Sequence, residues 1–155
     1  MITFRKIEEK DRDFIEKVYR STREDELKLL SWTELQKQSF IIMQSIAQET
    51  EYKNKFPGAT FEIILHNQKP AGRLYLYESD THLKVIDITL LPPFQGKAIG
   101  TSILKDLAVK AKQRKKIFSL SVRRDNRAIH LYHKLGFKKI SSLGDYDNME
   151  LHPIL

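Results

Sequence analysis

Apolar positions change their period twice along this chain. Ile2 to Ile7 reads as a short strand, and residues 8 to 20 carry Phe14, Ile15, Val18 and Tyr19 at the spacing of a first helix. Ser21-Thr22-Arg23-Glu24 has the spacing of a capping box. Trp32, Leu35, Phe40, Ile41, Met43 and Ile46 then predict a second helical region ending before Pro57-Gly58. Beyond that turn the period shortens to two. Thr60 to Leu65 and Ala71 to Tyr77 flank the turn His66-Asn67-Gln68-Lys69 and predict a hairpin. Leu83 to Leu91 is apolar on both parities apart from Lys84, Asp87 and Thr89, the pattern of a central strand covered on both faces. After Pro92-Pro93, residues 100 to 113 place Ile103, Leu104, Leu107, Ala108 and Ala111 on one stripe of a third helix. Ile117 to Arg123 alternates Phe118, Leu120 and Val122 with the small Ser119 and Ser121, giving a strand with one lean face. A short helix over 126 to 134, stopped by Gly136, precedes a strand pair around Phe137 to Ser142 and Asn148 to His152. The order is strand, two helices, three strands, helix, strand, helix, two strands, an α/β (α+β) class with about seven strands and four helices.

Composition narrows this picture. With 155 residues the chain is one domain's worth, 1–155, and no repeat or Pro/Gly/Ser linker divides it. Hydrophobic residues make up 41% and charged residues 30%, which suits a folded soluble protein and excludes wholesale disorder. No run reaches the length that crosses a bilayer, and Arg5, Lys6, Glu8 and Glu9 leave no apolar core for a secretion signal, so a cytoplasmic protein with no membrane partner is expected. The absence of cysteine removes disulfides, thiolate metal sites and any cysteine nucleophile. Twenty-seven Lys plus Arg against 20 Asp plus Glu give a net charge of +7, which suits an anionic partner or a solvated basic surface.

The chemistry concentrates in Leu90-Leu91-Pro92-Pro93-Phe94-Gln95-Gly96-Lys97-Ala98-Ile99-Gly100-Thr101, where a buried strand runs through small residues into a helix N-terminus. The first turn of a helix has unpaired N–H groups and the positive end of the peptide dipoles, and Gly96, Ala98 and Gly100 let a phosphate approach closely. Lys97 adds a mobile charge. The last glycine is followed by Thr101, so a nucleotide-triphosphate loop fails, and the dinucleotide fingerprint is absent. Taken alone, the segment could equally be an ordinary strand-to-helix connection. One strand later comes Asn126-Arg127-Ala128-Ile129-His130-Leu131-Tyr132-His133-Lys134-Leu135-Gly136-Phe137. Asn126 caps a helix there, and Tyr132 shares a face with Ala128, Leu131 and Leu135, so it points into the protein as a core aromatic or as a working phenol.

Together these two segments resemble the GNAT superfamily of acyl-CoA-dependent N-acyltransferases, whose pyrophosphate loop reads Q/R-x-x-G-x-G/A and whose later helix reads roughly N-x-x-A-x-x-x-Y-x-x-x-G-F. Gln95 to Gly100 matches the first with Ala98 in place of its first glycine, and Asn126, Ala128, Tyr132 and Gly136-Phe137 fit the second allowing for local spacing. Alanine is small enough that cofactor binding is expected to survive. The resemblance covers residues 83 to 137 and implies a mixed, mostly antiparallel sheet in which two central strands, here Leu83 to Leu90 and Ile117 to Arg123, splay around a pantetheine arm. It implies acetyl-CoA as cosubstrate and no metal. The pyrophosphate would be held by Gln95, Gly96, Lys97, Ala98, Ile99, Gly100 and Thr101, with Asn126 as a further cofactor-binding residue and a backbone N–H near Leu90 for the thioester carbonyl. Tyr132 is then the general acid for the departing thiolate, and a primary amine on a small molecule or peptide attacks directly.

The base does not transfer by motif. Asp87 in its strand is a candidate that burial would tune, or more simply a buried carboxylate pinned by donors; the position where some relatives carry a glutamate is here Ser121 or Lys84, and water can carry the proton. Glu24, Asp25 and Trp32 lie in the helical third that walls the family's acceptor site, and they read more simply as a solvated acidic turn and a core indole. His130 and His133 lack a third ligand nearby, so no metal is assigned. The run Lys110, Lys112, Arg114, Lys115, Lys116 complements a helix C-terminus, with adenosine phosphates or nucleic acid as the alternative. The main rival to an N-acetyltransferase is a non-catalytic acyl-CoA sensor of the same fold. A nucleic-acid-binding domain, which would show steep salt dependence, lacks any aromatic-basic interleaving and is not expected. A homodimer is open to such a chain.

Overall fold

The computed structural model describes residues 1 to 153. Seven strands form one sheet in the order β1-β2-β3-β4-β5-β7-β6, mixed and mostly antiparallel, with four α-helices in the chain. Among the described residues no helix is long and apolar enough to cross a membrane. The chain resolves into two compact units, one of residues 1–74 and 88–95, the other of 75–87 and 96–155.

In unit one, β1 (Ile2–Lys6) pairs antiparallel with β2 (Thr60–His66), from Ile2 opposite His66 to Lys6 opposite Glu62. A 3-10 turn over Glu9–Asp11 leads into α1 (Arg12–Lys28), and α2 (Glu34–Lys55) follows. Tyr19 and Leu27 of α1 bury against Ile41 of α2, with Phe40 packed beside them. The first helix therefore runs well past residue 20, and the capping box expected at Ser21 to Glu24 is not one. Both hydroxyls lie inside α1 and bond back to the preceding turn, Ser21 to the Val18 carbonyl and Thr22 to the Tyr19 carbonyl, each at 2.6 Å. Mid-helix Ser and Thr take this option because the carbonyl three residues earlier is within reach. The working box is Thr33 with Gln36: the Thr33 Oγ1 accepts the Gln36 N–H at 3.1 Å, and the Gln36 Oε1 accepts the Thr33 N–H at 2.9 Å. Asn67 and Gln68 join β2 to β3 (Lys69–Glu78) with φ of 50° and 68°, the left-handed pair of a tight hairpin.

Unit two is built on β5 (Ile117–Arg123), against which α3 (Ile99–Gln113) and α4 (Ala128–Lys134) pack. β7 (Tyr146–Leu151) pairs antiparallel with β5, from Phe118 opposite Leu151 to Arg123 opposite Tyr146, and with β6 (Lys138–Leu143) on its other side. β4 (His82–Leu90) pairs parallel with β5 from His82 opposite Ile117 to Val85 opposite Leu120. The predicted strand is fourth of seven, as its apolar run requires, although full burial is confined to Leu83 and Val85. The basic run after α3 is an anchor in part: Arg114 and Lys116 both pair with Glu78, and the Lys116 Nζ also donates to the Ser79 carbonyl.

Candidate functional site

Unit one contributes the end of β4 and the turn behind it. Gly72 of β3 lies so close to Thr89 that a Cβ at 72 would stand 2.0 Å from the Thr89 carbonyl oxygen and 3.0 Å from the Leu90 Cα. Only a residue without a side chain lets the two backbones approach this way. The Leu91 N–H is given to the Ala71 carbonyl at 2.9 Å, which pins the chain as it leaves the sheet. Pro92–Phe94 then form a 3-10 turn, and Gln95 folds back so that its Nε2 donates to the Leu90 carbonyl at 2.9 Å. Leu90 and Gln95, separate in the motif, are thus joined by a hydrogen bond.

Unit two contributes the amides. Gly96 and Ala98 both have positive φ, 74° and 61°, and Ala98 is the residue at which α3 begins. The first intrahelical bond is from the Ser102 N–H to the Ala98 carbonyl, so the N–H groups of Ile99, Gly100 and Thr101 have no partner within the helix. No side chain caps this end and no acidic residue lies in the first turn. A helix that starts without either presents its amide donors and the positive end of its dipole unopposed. Gln95 through Ala98 are exposed, Gly100 and Thr101 half-buried, and Ile99 is buried as the helix's first anchor.

Asn126 stands just ahead of α4, and its Oδ1 accepts the Ala128 N–H at 2.9 Å, so the expected cap is made. Tyr132 is the buried residue of α4, its ring 5.8 Å from that of Phe137, which in turn lies 5.2 Å from Phe118. Burial alone raises the Tyr132 pKa above that of a free phenol, with no charge or hydrogen bond acting on it. The group is a held proton at neutral pH, available to a base or leaving group that develops charge beside it.

The remaining candidates separate. Ser119 is buried, while Ser121 is exposed and its hydroxyl donates to the Asn148 Oδ1 at 2.7 Å, so the lean face of β5 is partly used in pairing with β7. Asp87 and Lys84 are half-buried in β4. Trp32 is not a core indole: it lies between the two helices, 40% exposed, edge-on to Phe40 at 5.3 Å. Glu24 and Asp25 lie within α1 instead of in a turn, and Glu24 pairs with Arg20 at 3.3 Å. His130 and His133 are exposed on α4. Gly72 is the residue that sequence reasoning missed. Its one signal was a glycine within a strand pattern, which marks a close backbone approach without saying to what.

The profile of the Acetyltransferase (GNAT) family matches residues 24–137 of this chain. No curated protein matches it. Several solved structures do. The PaiA N-acetyltransferase of Thermoplasma acidophilum, solved with coenzyme A, aligns at 21% identity over 98% of this chain and 99% of its own, with a TM-score of 0.68. The ribosomal-protein-S18-alanine N-acetyltransferase of Escherichia coli aligns at 20% identity over 100% of this chain and 96% of its own, TM-score 0.67. The spermidine N-acetyltransferase of Vibrio cholerae, in complex with CoA and spermine, aligns at 16% identity over 97% and 95%, TM-score 0.67. At these identities the likeness is one of fold.

Proposed function

Since this chain belongs to the acetyltransferase (GNAT) family, we propose that it acts in the cytoplasm as a single domain, moving an acetyl group from acetyl-CoA to a primary amine on a small molecule or peptide. The observation that carries the reading is the start of α3: a 15-residue helix opened by two left-handed residues, with no capping side chain and no carboxylate in its first turn. Such an end suits a diphosphate, which accepts several N–H bonds at once and carries the charge the dipole favours. The amides of Gly96 to Thr101 take the pyrophosphate, Lys97 adds its charge, and Asn126 is a further contact to the cofactor.

In the reaction the amine nitrogen adds to the thioester carbonyl carbon, and the oxygen becomes an oxyanion. The Leu90 N–H is assigned to that oxygen; the Leu91 N–H is already committed to Ala71. Collapse of the intermediate breaks the carbon–sulfur bond and leaves the amide and a CoA thiolate. Tyr132 gives its proton to the sulfur, a role that its burial and raised pKa support by keeping the phenol protonated at neutral pH. The amine's surplus proton leaves through water or through Asp87.

Tyr132→Phe tests the assignment, because the ring and its packing on Phe137 remain. Loss of a general acid predicts a fall in kcat of about 10²-fold or more with the Kd for CoA unchanged. CoA release measured on a panel of amines, alongside calorimetric titration of CoA, reads both quantities. An unchanged kcat removes Tyr132 from the mechanism, and a wild type that binds acetyl-CoA but releases CoA with no amine is a sensor, not an enzyme.

A further inference from the structure

Unit one has a second concavity at the far end of its first two strands. The His66 ring is 6.0 Å from that of Phe94, so the end of β2 that pairs with Ile2 is the end nearest the turn after β4. The opposite end, where Lys6 faces Glu62, lies four residues or about 13 Å away. There Ile7, the first turns of α1 and the later turns of α2 enclose a cleft of 140 Å³. It shares Ile7, Glu49 and Lys53 with an adjoining 360 Å³ cavity walled in part by Phe61 and Glu62.

The charges of the smaller cleft do not balance locally. Glu8 has Lys10 at 3.3 Å, Glu9 has Arg12 at 3.9 Å, and Glu49 has Lys53 at 4.0 Å. Glu16, which lines the same cleft, is 7% exposed and has neither an ion pair nor a hydrogen bond among the described residues. Ser45 faces the cleft from α2, is 4% exposed, and likewise has no partner among the described residues. A carboxylate and a hydroxyl withdrawn this far from water cost free energy until something satisfies them, and a carboxylate calls for a cation. The described residues offer no set of three metal-ligating groups. The missing partner is therefore an organic cation.

We propose that this cleft binds a small primary alkylammonium, its three N–H donors shared between the Glu16 carboxylate and the Ser45 hydroxyl and its methylenes lying against Ile7 towards Phe61. The site goes beyond the acetyl transfer proposed above and does not depend on it, because its strand end is the one remote from the β4 turn. It makes the protein responsive to a free amine by a route other than acetylation.

Isothermal titration calorimetry of the full chain with n-butylammonium chloride, against sodium chloride of equal ionic strength and n-butanol, decides the matter. Saturable one-to-one binding of the amine and none of the alcohol is expected; no saturable heat, or equal binding of the alcohol, overturns the proposal. Glu16→Gln is expected to weaken binding about tenfold or more and Ser45→Ala by about three- to tenfold. Equal affinity in both variants overturns the site. Without amine, Glu16→Gln is expected to melt at or above the wild type, since an unpaired buried charge has gone, and a marked fall in Tm contradicts the premise. If that variant does not fold by circular dichroism, an unchanged affinity in Ser45→Ala alone is decisive against the site. Acetyl-CoA titrated into Glu16→Gln keeps its wild-type Kd, which separates failure here from failure of the transferase reading.

Discussion

Ala98 has φ +61° and ψ +15°, a conformation in which its methyl group crowds the backbone and which glycine adopts freely. Ala98→Gly relieves that strain but gives the unfolded chain more freedom. The net expectation is a gain of about 0.5–1 kcal/mol and a Tm raised by a few degrees, measured by thermal or urea unfolding. At Gly72 the argument runs the other way. A methyl group there would meet the Thr89 carbonyl oxygen at 2.0 Å, and the obstacle is backbone, which cannot swing aside. Gly72→Ala is expected to cost about 2 kcal/mol or more and, by displacing the Leu90 backbone, to lower kcat more than it raises KM for acetyl-CoA. Denaturant titration and steady-state kinetics check the two parts. Ala98 was visible in the sequence as a departure from a motif, but its left-handed backbone was not, because hydrophobic period carries no information about φ. Gly72 was silent for a related reason: the group that would clash with its side chain is 17 positions along the chain. Trp32 misled because an indole's apolar bulk argues for burial while its position between two helices left it half in water.

Helix boundaries show the same division. Ser21 to Glu24 has the spacing of a cap, yet the apolar stripe continues through Leu27, and burial of that stripe against Ile41 keeps α1 intact across it. Thr33 and Gln36 have the equivalent spacing where the stripe breaks, and there the box forms. The entry to α1 rests on an ion pair that makes its own prediction. Asp11 is buried, accepts two bonds from the Arg5 guanidinium at 2.7 and 2.9 Å, and takes the Glu8 N–H at 2.8 Å. The Arg5 hydrogen bonds lead in lowering its pKa from 3.8 to about 2, against the opposing effect of burial. A carboxylate whose folded pKa is depressed stabilises the fold fully above its unfolded pKa and loses that contribution as pH falls through the folded one. Here that places the loss between about pH 4 and pH 2, worth no more than about 2 kcal/mol. Asp11→Asn should be less stable than wild type at pH 7 and should show a flatter loss of stability over that window, as urea titrations at a series of pH values will read.

At the scale of the molecule, the succession of strands and helices was legible because each element announces its period within a window of a dozen residues. The insertion of β7 between β5 and β6 was not, since it is decided by pairings such as Phe118 with Leu151. Net charge was likewise only half informative. Part of the surplus is spent on internal anchors, Arg114 and Lys116 on Glu78 and Arg124 on Asp147, which leaves less of it to attract an anionic polymer than the count suggests. The two outermost strands carry a last consequence. β6 is exposed along its whole length, begins with Lys138 and Lys139, and slips register between Lys139 and Ser141; β1, at the other margin, is five residues long and ends in Arg5 and Lys6. Neither rim offers a long, flat, uncharged template on which another copy could add a strand, so growth into fibrils by edge pairing is discouraged at both sides of the sheet.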